Sequence, residues 1–131
     1  MIKRNPDNTN ISIPVSLGEV VDKLTILEIK SEKMSDNKLK NINKEMLAIT
    51  NTISKLDIDS DLISKVKEVN LELWEIEDKI RLKESINQFD EDFISLARSV
   101  YIKNDLRASL KREINIKYNS DIIEEKSYQK Y

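Results

Sequence analysis

Val66-Lys67-Glu68-Val69-Asn70-Leu71-Glu72-Leu73-Trp74-Glu75-Ile76-Glu77-Asp78-Lys79-Ile80 is the stretch whose reading decides the fold. Val66, Val69, Leu73, Ile76 and Ile80 recur in steps of three and four, the spacing that lines side chains along one seam of an α-helix. A seam of this kind needs partner helices, so the pattern predicts a bundle. Just upstream, the polar run Asp57 to Asp61 interrupts the periodicity, and Ser60 is placed to cap this helix.

Toward the N-terminus, Leu39, Ile42, Met46, Ile49, Ile53 and Leu56 form the purest heptad segment of the chain, with Asp36 as its candidate cap. Before it, Ser16 and Glu19 have the capping-box spacing, which starts a first helix near Leu17 and carries it to about Met34. Its main apolar stripe is Leu17, Val20, Val21, Leu24 and Leu27. Toward the C-terminus, Phe89, Asp90 and Ile94 read as a hydrophobic staple around an N-cap, opening a fourth helix. Four helices with short connections predict an all-α, antiparallel four-helix bundle, a single helical domain over residues 1–131. Residues 1–10 are polar and expected to be mobile, and the alternation of Ile11, Ile13 and Val15 with Ser12 and Pro14 predicts a short extended segment against the bundle.

Composition narrows the chemistry. At 131 residues the chain can bury one core without disulfides or metal, and 24 acidic against 22 basic residues mark no overall attraction to nucleic acid. The absence of Cys removes thiolate nucleophiles and most structural zinc sites, and the absence of His removes the usual general base and the commonest metal ligand. No metal and no cofactor are therefore expected. The start Met-Ile-Lys-Arg-Asn-Pro lacks an apolar core, and no run approaches the ~18 apolar residues of a membrane span, so a soluble, cytoplasmic protein with no membrane partner is expected. Only 5 of the 22 basic residues are Arg, and four of them stand at positions 81, 98, 107 and 112. A planar fork for carboxylate or phosphate is one reason to use Arg where Lys is abundant, and exposed surface pairs are the plainer one.

Two irregularities stand out. On the first helix, Ile26 and Ile29 lie off the main stripe, so this helix is touched on two sides, and a second subunit in a homodimer is the expected second contact. On the fourth, Phe93, Ala97, Val100 and Tyr101 define one face, whereas Leu106, Leu110 and Ile114 define another, with Asn104 and Asp105 at the changeover. Either the helix breaks there with Asn104 as a cap, or it continues and its core face passes through Asn104, Arg107 and Lys111 into a polar site. The third helix offers partners in Asn70, Trp74, Glu77, Arg81 and Glu84, spaced by four and three along one edge. Pairing the helices around residues 87–90 brings Trp74 to the level of Asn104 and Glu77 to that of Tyr101.

Several runs resemble a known family. Ser16-Leu17-Gly18-Glu19 through Leu27-Glu28-Ile29-Lys30, Leu73 to Arg81, Phe93 to Tyr101, Asn104 to Ala108 and Glu124-Glu125-Lys126-Ser127-Tyr128 are similar to a small bacterial and phage family classed as a domain of unknown function. The resemblance covers about residues 11–131 and implies membership without an activity. It also implies that the C-terminal Glu-Glu-Lys-Ser-Tyr tail is an ordered, docked feature, where composition alone suggests fraying.

The resulting expectation is a helical interaction or anionic-ligand-binding module. Its candidate residues are Glu28, Trp74, Glu77, Arg81, Arg98, Tyr101, Asn104, Asp105, Arg107 and Lys111. In that reading Arg and Lys hold the anionic group of a small molecule, Glu77 and Asp105 orient the guanidinium forks, and Trp74 and Tyr101 wall the pocket. The competing reading makes the same residues a structural ion-pair network. A cofactor-free enzyme acting on an anionic small molecule, with chemistry like that of chorismate mutase, needs only such side chains. A magnesium-dependent nucleotide pyrophosphatase would use Glu72, Glu75 and Asp78, but the second acidic pair it requires downstream is missing. A ferritin-like site needs His and is closed. Lys103, Arg107, Lys111, Arg112 and Lys117 make the fourth helix locally basic, yet Asp105 and Glu113 interrupt the patch, so nucleic acid is not expected as a partner.

Overall fold

The computed structural model describes residues 8–131. It contains α1 (Leu17–Lys33), α2 (Asp36–Ile53), α3 (Ser60–Ser85) and α4 (Glu91–Lys117), with no strand among the described residues. The fold is an all-α, antiparallel four-helix bundle in which α3 and α4 form the longest hairpin and α1 packs alongside both of its helices. α2 packs on α1 and on neither of the other helices. Among the described residues no helix is long and apolar enough to cross a membrane.

The core sits where α1, α3 and α4 meet. Val21, Leu62, Val66, Val69, Leu110 and Ile114 are buried together, with Leu17, Ile58, Ile63 and Tyr118 packed around them. Val66 and Val69 from the seam of the third helix thus reach the interior, whereas Leu73, Ile76 and Ile80 are only half-buried. Ile42 is the one buried residue of α2, and Leu56 lies beyond its end, 52 % exposed. The heptad stripe of α2 meets a single helix, which explains its partial burial.

Helix ends follow local chemistry with small displacements. Ser16 caps α1 as its spacing predicts, its Oγ accepting from Glu19 N–H at 3.2 Å. Asp90 caps α4 by accepting from Phe93 N–H at 2.9 Å. The staple differs: Phe89 meets Phe93 edge to face at 5.2 Å, and Ile94 points outward, 55 % exposed. Asp59 rather than Ser60 caps α3, accepting from Asp61 N–H at 2.9 Å. Ser35 occupies the cap position of α2, and Asp36 is its first residue with a left-handed φ of 60°. In a chain with one Gly, Asn supplies the left-handed conformation that closes helices. Asn87 follows α3 with φ 54° and Asn119 follows α4 with φ 52°. In both, the next N–H reaches back to a helix carbonyl, Gln88 to Lys83 at 2.9 Å and Ser120 to Asn115 at 2.8 Å.

Two expectations change. The residues from 8 to 15 have no regular structure, and Ile11 and Ile13 are 85 % and 71 % exposed, so the extended segment does not lie against the bundle. Residues 1–7 of the segment expected to be mobile lie outside the described residues. On α1, Ile29 is 1 % exposed within the single chain, because α1 is covered by α2 as well as by the hairpin. The contact at Ile29 is therefore made inside the chain, whereas Ile26 stays half-buried beside an open hollow.

Candidate functional site

α4 is unbroken through Asn104 and Asp105, so its core-facing stripe carries Asn104, Arg107 and Lys111 toward α1. What receives them is Asp22, a carboxylate only 1 % exposed. Arg107 Nε donates to Asp22 Oδ1 at 2.9 Å, and Nη2 donates to Oδ2, a two-point fork. Asn70 Nδ2 donates to the same Oδ1 at 2.8 Å and to Thr25 Oγ1 at 2.9 Å, while the Thr25 hydroxyl donates to the Asp22 carbonyl at 2.8 Å. Lys111 Nζ stands 3.8 Å from Asp22 Oδ2 and 2.6 Å from Glu19 Oε2. A buried carboxylate costs several kcal/mol unless it is paired and hydrogen-bonded, and Asp22 is both.

Sequence spacing explains how α1 comes so close. Gly18, Asp22, Thr25 and Ile29 are buried at steps of four, three and four along one face. At Gly18 an added Cβ would collide with the Lys111 carbonyl and come within 3.0 Å of Asn115 Oδ1. The bare backbone lets α4 cap α1 directly. Gly18 N–H donates to Asn115 Oδ1 at 2.6 Å, and Leu17 N–H donates to Ser120 Oγ at 3.1 Å. With Ser16 accepting from Glu19 N–H and Val20 N–H, the first four donors of α1 are all satisfied.

The C-terminal tail is docked on α4. Tyr131 donates its hydroxyl to Asp105 at 2.7 Å and stacks at a tilt on Tyr101, centroids 4.9 Å apart. Arg112 pairs with Glu125 at 3.3 Å, and Glu124 lies 3.7 Å from Lys111. Hydrogen bonding to Lys111 lowers the pKa of Glu19, and the Glu19 carboxylate beside Glu124 raises that of Glu124.

Three hollows meet at Asn104 and Arg107. One of about 490 Å³ lies between α1, α3 and α4, lined by Ile26, Asn70, Leu73, Trp74, Glu77, Asp78, Arg81, Asn104 and Arg107. A second, about 420 Å³, lies on the tail side with Tyr101, Asp105 and Tyr128. The smallest, about 130 Å³, is bounded by Lys111, Arg112, Asn115, Glu124 and Lys126. The expected residues divide accordingly. Trp74, Glu77, Arg81, Asn104 and Arg107 come together in the first hollow, whereas Tyr101 and Asp105 face the tail and Lys111 faces the third. Glu77 pairs with Arg81 at 3.5 Å along its own helix, so Asp22, not Glu77 or Asp105, orients Arg107. Glu28 turns away to Lys67 at 3.1 Å, and Arg98 is exposed outside this cluster.

The basic stripe of α4 is internally neutralised. Lys103, Arg107, Lys111, Arg112 and Lys117 pair with Glu72, Asp22, Glu19, Glu125 and Asp59 respectively. Among the described residues no group of three acidic side chains could hold a metal ion, and Glu72 is engaged by Lys103.

Fold and site together define a small helical protein built around a buried carboxylate–guanidinium pair that opens onto surface hollows. The chain belongs to DUF6165, a family of unknown function, which it matches over residues 11–131. No curated protein and no solved structure matches it.

Proposed function

We propose that this chain is an anionic-ligand-binding module whose receptor group is Arg107. The observation that carries this reading is that Asp22 grips Arg107 from behind through Nε and Nη2, while the side chain remains 29 % exposed and its Nη1 meets only Asn104, at a long 3.5 Å. A guanidinium held in one orientation loses little freedom on binding a carboxylate or phosphate, which makes it a preorganised receptor. Beside it, Ile26, Leu73 and Trp74 supply an apolar wall for a flat or aliphatic body. The ligand this combination suits is a small molecule with one anionic group on an apolar frame.

Trp74 is the sole tryptophan, so its fluorescence reports on this hollow alone. Phenyl phosphate is expected to change Trp74 emission saturably and to raise the melting temperature, with inorganic phosphate and phenol each weaker. Arg107→Lys, which keeps the charge and loses the fork, should weaken the response at least ~10-fold, about 1.4 kcal/mol. A flat emission signal at ~10 mM of every probe, equivalent to affinity weaker than about −3 kcal/mol, would discard the reading.

A further inference from the structure

Under the C-terminal tail, the stripe of α4 that carries Arg107 encloses a second polar space. Asn104, Ala108, Lys111 and Asn115 follow one another by four, three and four, so they share one face of the helix. Ala108 is the one short side chain among them and leaves a gap, over which the tail lays Glu124 and Lys126. The hollow of about 130 Å³ formed there has room for about four waters at roughly 30 Å³ each, close to the bulk of one tetrahedral oxyanion.

Its lining is rich in donors. Arg107, Lys111, Arg112 and Lys126 bring four cations to it, beside the amides of Asn104 and Asn115, and Glu124 is its one acid. The acids that balance three of these cations stand outside the lining: Asp22 on Arg107, Glu19 on Lys111 and Glu125 on Arg112. Lys126 pairs with no acid among the described residues, and its ammonium lies over the Tyr128 ring at 5.1 Å.

Asn115 is the most telling member. It is 2 % exposed, and its Oδ1 accepts from Gly18 N–H, which fixes the orientation of the amide. That leaves Nδ2 as the branch available to the hollow, and it donates to no acceptor among the described residues. A nearly buried amide donor is rarely left without a partner, so an unused one in the wall of a basic hollow points to an oxygen from outside the chain. Glu124 does not fill that role. Its Oε2 stops 3.7 Å from Lys111 Nζ, beyond hydrogen-bond length, and half of its side chain is in water. The neighbouring Glu19 carboxyl raises its pKa, the mark of two like charges held close. An anion that displaces Glu124 replaces a charge already there instead of adding to a balanced site.

We propose that this hollow is an inorganic-phosphate site, in which Asn115 Nδ2, Lys111, Arg112 and Lys126 hold the oxyanion and Glu124 is the resident competitor that it displaces. The site shares Arg107 with the Trp74 hollow but stands on other residues, so it does not rest on that reading.

Titration of the isotope-labelled intact chain with inorganic phosphate, at ionic strength held constant with chloride, tests this by two-dimensional NMR. The Asn115 side-chain amide is expected to shift saturably, with half-saturation below ~5 mM phosphate. Lys126→Gln, at an exposed position, should weaken binding at least ~3-fold, and Glu124→Gln should strengthen it by about the same factor. Both side chains lie on the surface, and unchanged backbone resonances in α1 and α3 will show that the fold is kept. An Asn115 amide that stays still, or drifts linearly as it does with chloride alone, overturns the site. Affinity unchanged in Lys126→Gln, or unchanged or lowered in Glu124→Gln, overturns it equally. A phosphate response at the Trp74 indole without one at Asn115 overturns this site and leaves the Trp74 hollow standing.

Discussion

Arg107 and Asp22 are 85 positions apart, and each is costly without the other. Asp22 sits at 1 % exposure with three donors on its oxygens, so removing Arg107 leaves a buried charge with one hydrogen bond, from Asn70, and a more distant cation, Lys111 at 3.8 Å. Arg107→Met is expected to lower unfolding free energy by about 3 kcal/mol in urea titration, and adding Asp22→Leu to restore most of it, since an apolar pair replaces an ionic one. A double variant no better than the single would mean that the carboxylate has a second indispensable partner. Gly18 carries the opposite surprise. In an ordinary helix Gly→Ala gains about 1 kcal/mol, but at Gly18 the methyl would strike the Lys111 carbonyl. Gly18→Ala should therefore cost about 1–3 kcal/mol by the same titration, a reversal of sign that only close helix approach produces. The inward placement of Arg107 and Asn104 was legible from their position on a stripe that should have been apolar. Asp22 was not, although the spacing of Gly18, Asp22, Thr25 and Ile29 held the signal, because a lone acid beside Val21 looks like ordinary solvated charge.

At the scale of elements, helix ends depend on a few side chains whose titration can be read. Asp90 accepts from Phe93 N–H and from Lys83, and these bonds, the amide first, hold its pKa down at about 2 against an ordinary 3.8. A carboxyl depressed in the folded state stabilises above its unfolded pKa and loses that stabilisation as pH falls through the folded one. The cap of α4 should therefore weaken between about pH 4 and pH 2, with the Asp90 carboxyl resonance and the Phe93 amide titrating together near 2. A midpoint near 3.8 for the carboxyl would show that the cap does not form in solution. Caps such as Ser16 and Asp90 were legible because the capping bond spans only three residues. The choice of Asp59 over Ser60 was not, since adjacent polar residues compete and the Asp59 carboxylate is also held by Lys117 at 2.9 Å from the far end of α4.

Across the whole molecule, the helices are unequally supported. α1 is covered on two sides, α2 touches one helix, and the α3–α4 arm runs on without a third. That inequality places the candidate binding hollow at the edge of α1's coverage. It also accounts for the docked tail. Ser120 to Tyr131 returns along α4 on the side that α1 and α3 leave open, and the tail's Glu124, Glu125 and Tyr131 reach Lys111, Arg112 and Asp105.

The number of helices, their order, their antiparallel sense and most of their boundaries were written in local spacing, because helical periodicity and capping act over three to seven residues. Which charges meet, which half of a seam is buried, and which side of α1 faces its own chain were decided only in three dimensions. Burial and ion pairing depend on partners distant in sequence, and no periodicity within one helix encodes the identity of the side chain that will stand across from it.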